Sequence, residues 1–286
     1  MSTCSRRAES RIASHESQLI TIRDLNTLEE YADCVALQEA TWGAGFSERV
    51  PTAILRVSQM VGGVAAGAFD STNRMVGFVF GLTGIRDKEL VHWSDMLAVR
   101  DELRGQGIGE ALKQYQRDKV TALGVRSMLW TFDPLQAKNA NFNINHLGAL
   151  PIEYVVDMYG SNTGSSLHGA LPTDRFIVRW ELRERKDTKR PPLPIAGDSI
   201  PIANPVGNDG LPFAEMLRAT SSHAGPVRVQ VPADFSAVQR QGASTAMRWR
   251  IVLRDVMRSW LDAGYRVSGF VRPDNDLPWY QLEPGT

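Results

Sequence analysis

Arg104-Gly105-Gln106-Gly107-Ile108-Gly109 lies between an apolar run, Val91 to Val99, that reads as a strand and an amphipathic run, Ile108 to Leu123, that reads as a helix. Ile108, Ala111, Leu112, Tyr115 and Ala122 recur at spacings of three, four and seven and give that helix one buried face. The glycines therefore fall where a loop becomes a helix. The opening N–H groups of a helix lack intrahelical partners and its dipole is positive there, so the turn is built to hold a phosphate or pyrophosphate. Glycine lets such a ligand approach the backbone. Gly124 closes the helix, and Val125 to Phe132 follows as a buried strand, so strand, helix and strand predict a parallel crossover.

Two familiar phosphate motifs do not fit. A P-loop places Lys-Ser or Lys-Thr after its last glycine, where this chain has Glu110-Ala111. The dinucleotide fingerprint requires a third glycine one position later than Gly109, a first strand before it and an acid some 20 residues on. Neither that spacing nor that place in the chain is met.

The totals narrow the function classes. With 286 residues, 43% of them hydrophobic, the chain supports a large core as one domain or as one domain with a smaller partner. Lys+Arg and Asp+Glu both number 32, so no charge excess points to nucleic acid or another polyion. Two cysteines, Cys4 and Cys34, make no disulfide framework, and a reducing cytoplasm is expected. The five histidines are scattered and no metal site is expected. No stretch of about 18 apolar residues occurs, so no membrane span is predicted.

Outward from the glycine turn, residues 1–18 read as a tail without an apolar signal region. Leu19 to Leu25 alternates as a strand. Thr27, with Glu29 and Glu30 behind it, starts a helix toward Trp42; Gly43 to Pro51 is a loop and Thr52 to Met60 a short helix. Val61 to Phe69 and Met75 to Leu82 form a hairpin across Asp70 to Arg74. Beyond the crossover come a helix from Ala137 to Leu147 ended by Gly148, a strand from Ile152 to Tyr159, a Gly/Ser loop from Gly160 to Ala170, and a strand from Arg175 to Leu182. Residues 19–182 thus read as the main domain and 183–194, charged and then proline-rich, as a linker. In residues 195–286, Val227 to Val231 and Tyr265 to Val271 are strands around a mostly helical Ser236 to Ala263. This unit has too few strands to close a sheet alone, so it packs on the first domain or, in a homodimer, on a second subunit.

Arg104-x-x-Gly107-x-Gly109, preceded by Met96-Leu97-Ala98-Val99 and followed by an amphipathic helix, resembles the acyl-CoA pyrophosphate loop of the GCN5-related N-acetyltransferase (GNAT) superfamily. The order of elements from Leu19 to Leu182 is similar to that fold. Further resemblance, to a subgroup of predicted GNAT acetyltransferases with an extra C-terminal unit, rests on Trp130-Thr131-Phe132-Asp133-Pro134-Leu135, Leu147-Gly148-Ala149 and Leu171-Pro172-Thr173-Asp174-Arg175. It extends through Val231-Pro232-Ala233-Asp234-Phe235 and Ala263-Gly264-Tyr265-Arg266-Val267.

The resemblance implies an α/β (α+β) fold with a mixed, mostly antiparallel, splayed sheet flanked by helices, and a smaller C-terminal α/β unit. It also implies acetyl-CoA or another acyl-CoA as co-substrate, with no metal. The pantetheine arm would lie between the Val91 to Val99 and Val125 to Phe132 strands and pair with the backbone of Leu97 and Val99. The pyrophosphate would sit on Gly105, Gln106, Gly107, Ile108 and Gly109, with Arg104 adding positive charge. Asn139 and Asn143 would reach the arm or thioester; the alternative is that they cap the helix or face solvent.

In this family an amine attacks the thioester directly, with a base to deprotonate it and often an acid for the thiolate. On a regular strand Trp93, Asp95, Leu97 and Val99 share a face, which makes Asp95 the base and Trp93 a wall of the acceptor pocket; a salt bridge is the alternative for Asp95. A bulge would exchange the faces and bring His92 forward. The family's tyrosine, four residues before the Gly148 turn, is Ile144 here, which leaves Tyr154 and Tyr159 as acids or as packing. Arg175, after the Gly/Ser loop, is the residue for gripping a carboxylate, against an ion pair with Asp174. The expected activity is acetyl or succinyl transfer to the amine of a small molecule such as an amino acid. A non-catalytic acyl-CoA-binding regulator and a protein-lysine acetyltransferase are the alternatives.

Overall fold

The structure, a computed structural model, describes residues 10–13, 19–160, 164, 171–182, 200–215, 225–274 and 276–285. These fall into two compact units. The first holds residues 10–13, 19–130, 164 and 181–182, and the second holds the rest. Among the described residues no helix is long and apolar enough to cross a membrane.

The first unit runs β1 (Ser10–Ala13), β2 (Leu19–Asp24), α1 (Leu28–Trp42), α2 (Thr52–Met60), β3 (Val64–Phe69), β4 (Met75–Arg86), β5 (Glu89–Val99), α3 (Ile108–Thr121) and β6 (Ser127–Phe132), whose last two residues belong to the second unit. Its strand order is β1-β2-β3-β4-β5-β6, antiparallel up to β5 and parallel from β5 to β6. The mixed, mostly antiparallel sheet flanked by helices is the expected one.

Local chemistry sets these elements. Thr27 caps α1 through the Glu30 N–H, and the Glu30 carboxylate reaches back to the Thr27 N–H, a reciprocal box that satisfies two orphan donors. Every residue of β3 and the first seven of β4 are buried, because helices cover both faces of the sheet. On one face Leu25, Tyr31, Cys34, Leu37, Leu55, Phe78, Phe80, Met96 and Ala98 form a continuous core under α1 and α2. Burial pushes the Cys34 thiol up to about 12, which makes it an inert packing residue.

Three sequence readings change. Ser10–Ala13, within the presumed tail, pairs with β2 as an edge strand, while residues 1–9 and 14–18 lie outside the described residues. β4 and β5 extend past Leu82 and Val91 to a tight hairpin in which Asp87 and Lys88 take φ of 53° and 67°. That is the doubly left-handed turn usually given to Asn-Gly, and nothing in Asp-Lys announces it. The strand expected at Ile152 to Tyr159 is β7 (Leu150–Val155); it ends before Asp157, whose φ is 48°. The 183–194 stretch lies outside the described residues, as does the Gly160 to Ala170 loop apart from Gly160 and Gly164.

In the second unit, α4 (Ala137–Ala140) continues as a π-helix over Asn141–His146 and stops at Gly148, φ 73°. β7 pairs antiparallel with β8 (Arg175–Glu181). β9 (Val227–Gln230), α5 (Phe235–Gln241), α6 (Ala243–Asp262), β10 (Tyr265–Val271) and β11 (Trp279–Pro284) complete it. β11, which the sequence reading lacked, lies in the middle of an antiparallel sheet ordered β10-β11-β9.

Arg250 and Arg254, one turn apart on α6, each grip a carboxylate with two hydrogen bonds. Arg250 holds Asp133 at 2.8 and 2.6 Å, and Arg254 holds Asp174 at 2.9 and 2.7 Å. The Asp174 carboxylate is thus gripped by Arg254, while Arg175 donates to the Asp174 backbone carbonyl.

Candidate functional site

The loop before α3 has the predicted form. Gly107 is the N-cap residue of α3 in a left-handed conformation, φ 81°, and Gly105 has φ 82°. Among the described residues no side chain caps this helix end. A Cβ at Gly105 or Gly107 would meet nothing within 4 Å, so backbone angle and open space in front of the turn set the glycines here, not packing. Arg104 donates through Nε to the Val99 carbonyl at 3.1 Å and pairs with Asp101 at 2.6 Å, which pins its charge where β5 ends. Leu97 and Val99 point back at Gly109, 3.6 and 3.9 Å from where its Cβ would be.

The parallel register of β5 and β6 covers only Val91, His92 and Trp93 against Ser127, Met128 and Leu129. Among the described residues β5 then runs on to Val99 beside β4 alone, so from Ser94 its other edge offers backbone groups of the kind a ligand arm pairs with. A bulge sits at the same point. Phe80 faces Met96 and Gly81 faces Ser94, so Asp95 has no partner across the ladder.

The bulge divides the face expected of a regular strand. Met96 and Ala98 pack into the α1/α2 core, whereas Leu97 and Val99 turn to α3. Trp93 and Asp95 stay together, with the indole N–H donating to the Asp95 carboxylate at 3.3 Å. Asp95 is open to solvent on one side, yet the protein around it is dense enough to push its carboxyl above the usual range. Glu48, from the loop between α1 and α2, adds to the rise, and the Trp93 N–H opposes it. Glu48 was missed by sequence reasoning because nothing in a loop sequence says which strand it faces.

His92 takes the opposite side. It is fully buried, and its Nδ1 lies 2.9 Å from Thr83 Oγ1. The single Thr83 hydroxyl proton goes to the Gly62 carbonyl at 2.6 Å, so Nδ1 must carry the imidazole proton and Nε2 is the bare nitrogen. Burial, helped by Lys113, pushes the ring down to about 3 and keeps it neutral. The bulge begins after His92 and does not bring it to the Asp95 side.

Beside His92 lies a polar group that the sequence reading did not single out. Lys113 of α3 is buried. Its Nζ donates to Ser94 Oγ at 2.7 Å and stands 3.9 Å from the centre of the Trp130 ring. Ser94 in turn donates to Gln116 Oε1 at 2.6 Å. The available signal was weak: Lys113 and Gln116 sit three apart on the stripe that Val120 continues.

The remaining predicted residues belong to the second unit. Asn139 is exposed and Asn143 is buried in the π-helix. The Tyr154 hydroxyl donates to Asp174 at 2.7 Å, and burial together with that carboxylate raises its pKa well above the phenol value. Arg175 is buried, donates to the Asp174 carbonyl at 2.9 Å and lies 4.0 Å from Asp133. Among the described residues no group of three or more His, Cys, Asp or Glu is placed to hold a metal ion.

No protein family and no curated protein matches the chain. Among solved structures it is similar to a chain of the NatC complex bound to Gag peptide and CoA, at 18% identity over 57% of this chain and 99% of that one, TM-score 0.47. It is also similar to the ribosomal-protein-S18-alanine N-acetyltransferase from Escherichia coli, at 17% identity over 59% and 97%, TM-score 0.43. A third is yncA from Salmonella typhimurium with acetyl-CoA, at 17% identity over 58% and 95%, TM-score 0.42.

Proposed function

We propose that the chain is an acyl-CoA-dependent N-acyltransferase that moves an acetyl or succinyl group to the amine of a small molecule. One observation carries the reading: an uncapped, glycine-opened helix start stands at the end of a strand whose edge becomes free from Ser94 onward. A diphosphate followed by an extended, amide-bearing arm matches that pair of features, the diphosphate on the α3 N–H groups and the arm along β5 at Leu97 and Val99.

In the proposed reaction Asp95 takes a proton from the acceptor ammonium. The amine nitrogen attacks the thioester carbonyl, a C–N bond forms, the C–S bond breaks and the thiolate leaves with a proton. A carboxyl raised by its surroundings is a stronger base than a free one, and Trp93 holds it in place. The carboxylates of Asp95 and Glu48 favour a cationic amine over an anionic acceptor. Arg175 is not assigned a substrate carboxylate, because it sits buried beside Asp133. Tyr154 is not assigned the acid, because its proton is directed at Asp174.

The test is release of free thiol from acetyl- or succinyl-CoA with a panel of amines. Gly109→Glu serves as the control: its backbone is not left-handed and a Cβ there makes ordinary contacts, so the variant places a carboxylate at the helix start without strain. The expected result is thiol release by the native chain and loss of CoA binding in the variant. Tight CoA binding without release for any amine would favour the regulatory alternative, and unchanged CoA affinity in the variant would remove the loop from the site.

A further inference from the structure

Among the described residues Lys113 has no acidic partner, although it is buried at the point where β5 and β6 part. Ser94 is one residue past Trp93 and Trp130 one residue past Leu129, the last pair in register. The amine bridges them from the α3 side, hydrogen-bonded to the first and stacked on the second. An ammonium has three N–H donors; Ser94 takes one and the face of Trp130 attracts the charge.

Burying such a group without a carboxylate is costly unless something else brings an acceptor. From β5 the titratable neighbour is His92, held neutral, and β6 contributes Trp130. On α3 itself Arg117 donates to Gln114 at 3.2 Å. None of these supplies negative charge.

We propose that Lys113 is the floor of the acyl-CoA site, donating to a carbonyl oxygen of the bound arm and taking up a proton as the ligand enters. This rests on the acyl-CoA reading above. Burial lowers the amine to about 7 in the free protein, so near neutral pH much of it is uncharged. A carbonyl placed against Nζ favours the charged form, so binding draws a proton from solution. Below that pH the amine is already charged and no uptake is needed; above it each binding event must also protonate the amine, and affinity falls as pH rises.

The experiment is calorimetric titration with acetyl-CoA at about pH 8, in buffers of different ionisation enthalpy, on native protein and Lys113→Met. Met is close to Lys in length; Ser94 Oγ loses the Lys113 N–H it accepts from but still donates to Gln116, so its hydroxyl keeps one partner. The expected results are proton uptake approaching one per site in the native protein, none in Lys113→Met, and affinity weaker by about 10-fold in that variant. The melting temperature should be equal or higher, because the cost of burying a polar amine is gone.

Adenosine 3′,5′-bisphosphate, which lacks the arm, should bind both proteins alike without the extra proton. Should Lys113→Met fail to fold, Lys113→Gln keeps a donor that does not titrate and should retain most affinity while losing the uptake. Equal proton uptake in native and variant proteins would overturn this inference and leave the acyl-CoA reading standing. Absence of acetyl-CoA binding to native protein would overturn both.

Discussion

The placement of Asp95, the proposed base, depends on one irregularity. In a regular strand its side chain would share a face with Trp93, Leu97 and Val99; the extra residue at the bulge keeps it with Trp93 and leaves Leu97 and Val99 against α3. Because burial and then Glu48 hold the carboxyl above its free value, kcat/KM should rise with pH through an acid limb displaced upward from the ordinary aspartate value of about 4. Asp95→Asn should remove that limb and lower kcat on the order of 10²- to 10⁴-fold. A pH profile with the same limb in the variant would show that another group is the base. The residue itself was legible in the sequence, since a carboxylate inside an apolar run stands out. Its facing was not, because a bulge is set by pairing across strands and β5 alone carries no mark of it.

At the scale of elements, β4 and β5 approach so closely at one point that only glycine fits. A Cβ on Gly81 would lie 2.3 Å from His92 Nε2, 2.6 Å from the Trp93 carbonyl and 2.7 Å from Gln116 Nε2. The Trp93 carbonyl is backbone and cannot turn aside, so Gly81→Ala should push the strands apart beside the bulge and cost about 1–3 kcal/mol. Gly84, three residues along the same strand, has nothing within 4 Å, and Gly84→Ala should be near neutral. Urea unfolding of the two variants checks the contrast, and equal stabilities would refute it. Most elements of the first unit could be read from periodicity and caps: Thr27 with Glu30 opened α1 and Gly124 closed α3. The unread parts, the ends of β4 and β5 at Asp87-Lys88 and the central strand β11, depend on tertiary pairing that overrides local preference.

At the scale of the whole chain, ion pairs join residues that lie far apart in sequence. Two arginines of α6 hold two aspartates that lie far away in the chain. Burial alone would push the Asp133 carboxyl up, but the Arg250 charge and hydrogen bonds, with Arg175 behind them, outweigh it and hold the group below its free value. A lowered carboxyl contributes stability above its unfolded pKa and loses it as pH falls through the folded one. Arg250→Met should therefore cost about 3–5 kcal/mol at neutral pH by leaving Asp133 without its main partner, and the difference from native protein should shrink as acid protonates Asp133. Denaturant melts at several pH values measure this, and a pH-independent difference would assign the loss to packing. The helical stretch that carries Arg250 and Arg254 was legible, but the two arginines and their partners were not, since no sequence spacing links Asp133 to a residue 117 positions later.

That separation also has a meaning in time. A ribosome adds roughly 5–20 residues per second. Asp133 therefore leaves the tunnel roughly 6–23 s before Arg250 does, and the nascent chain must carry a carboxylate meant for an enclosed place while its guanidinium is still unmade. The turn after β6 stays hydrated until α6 arrives, so the second unit settles only once α6 has been made.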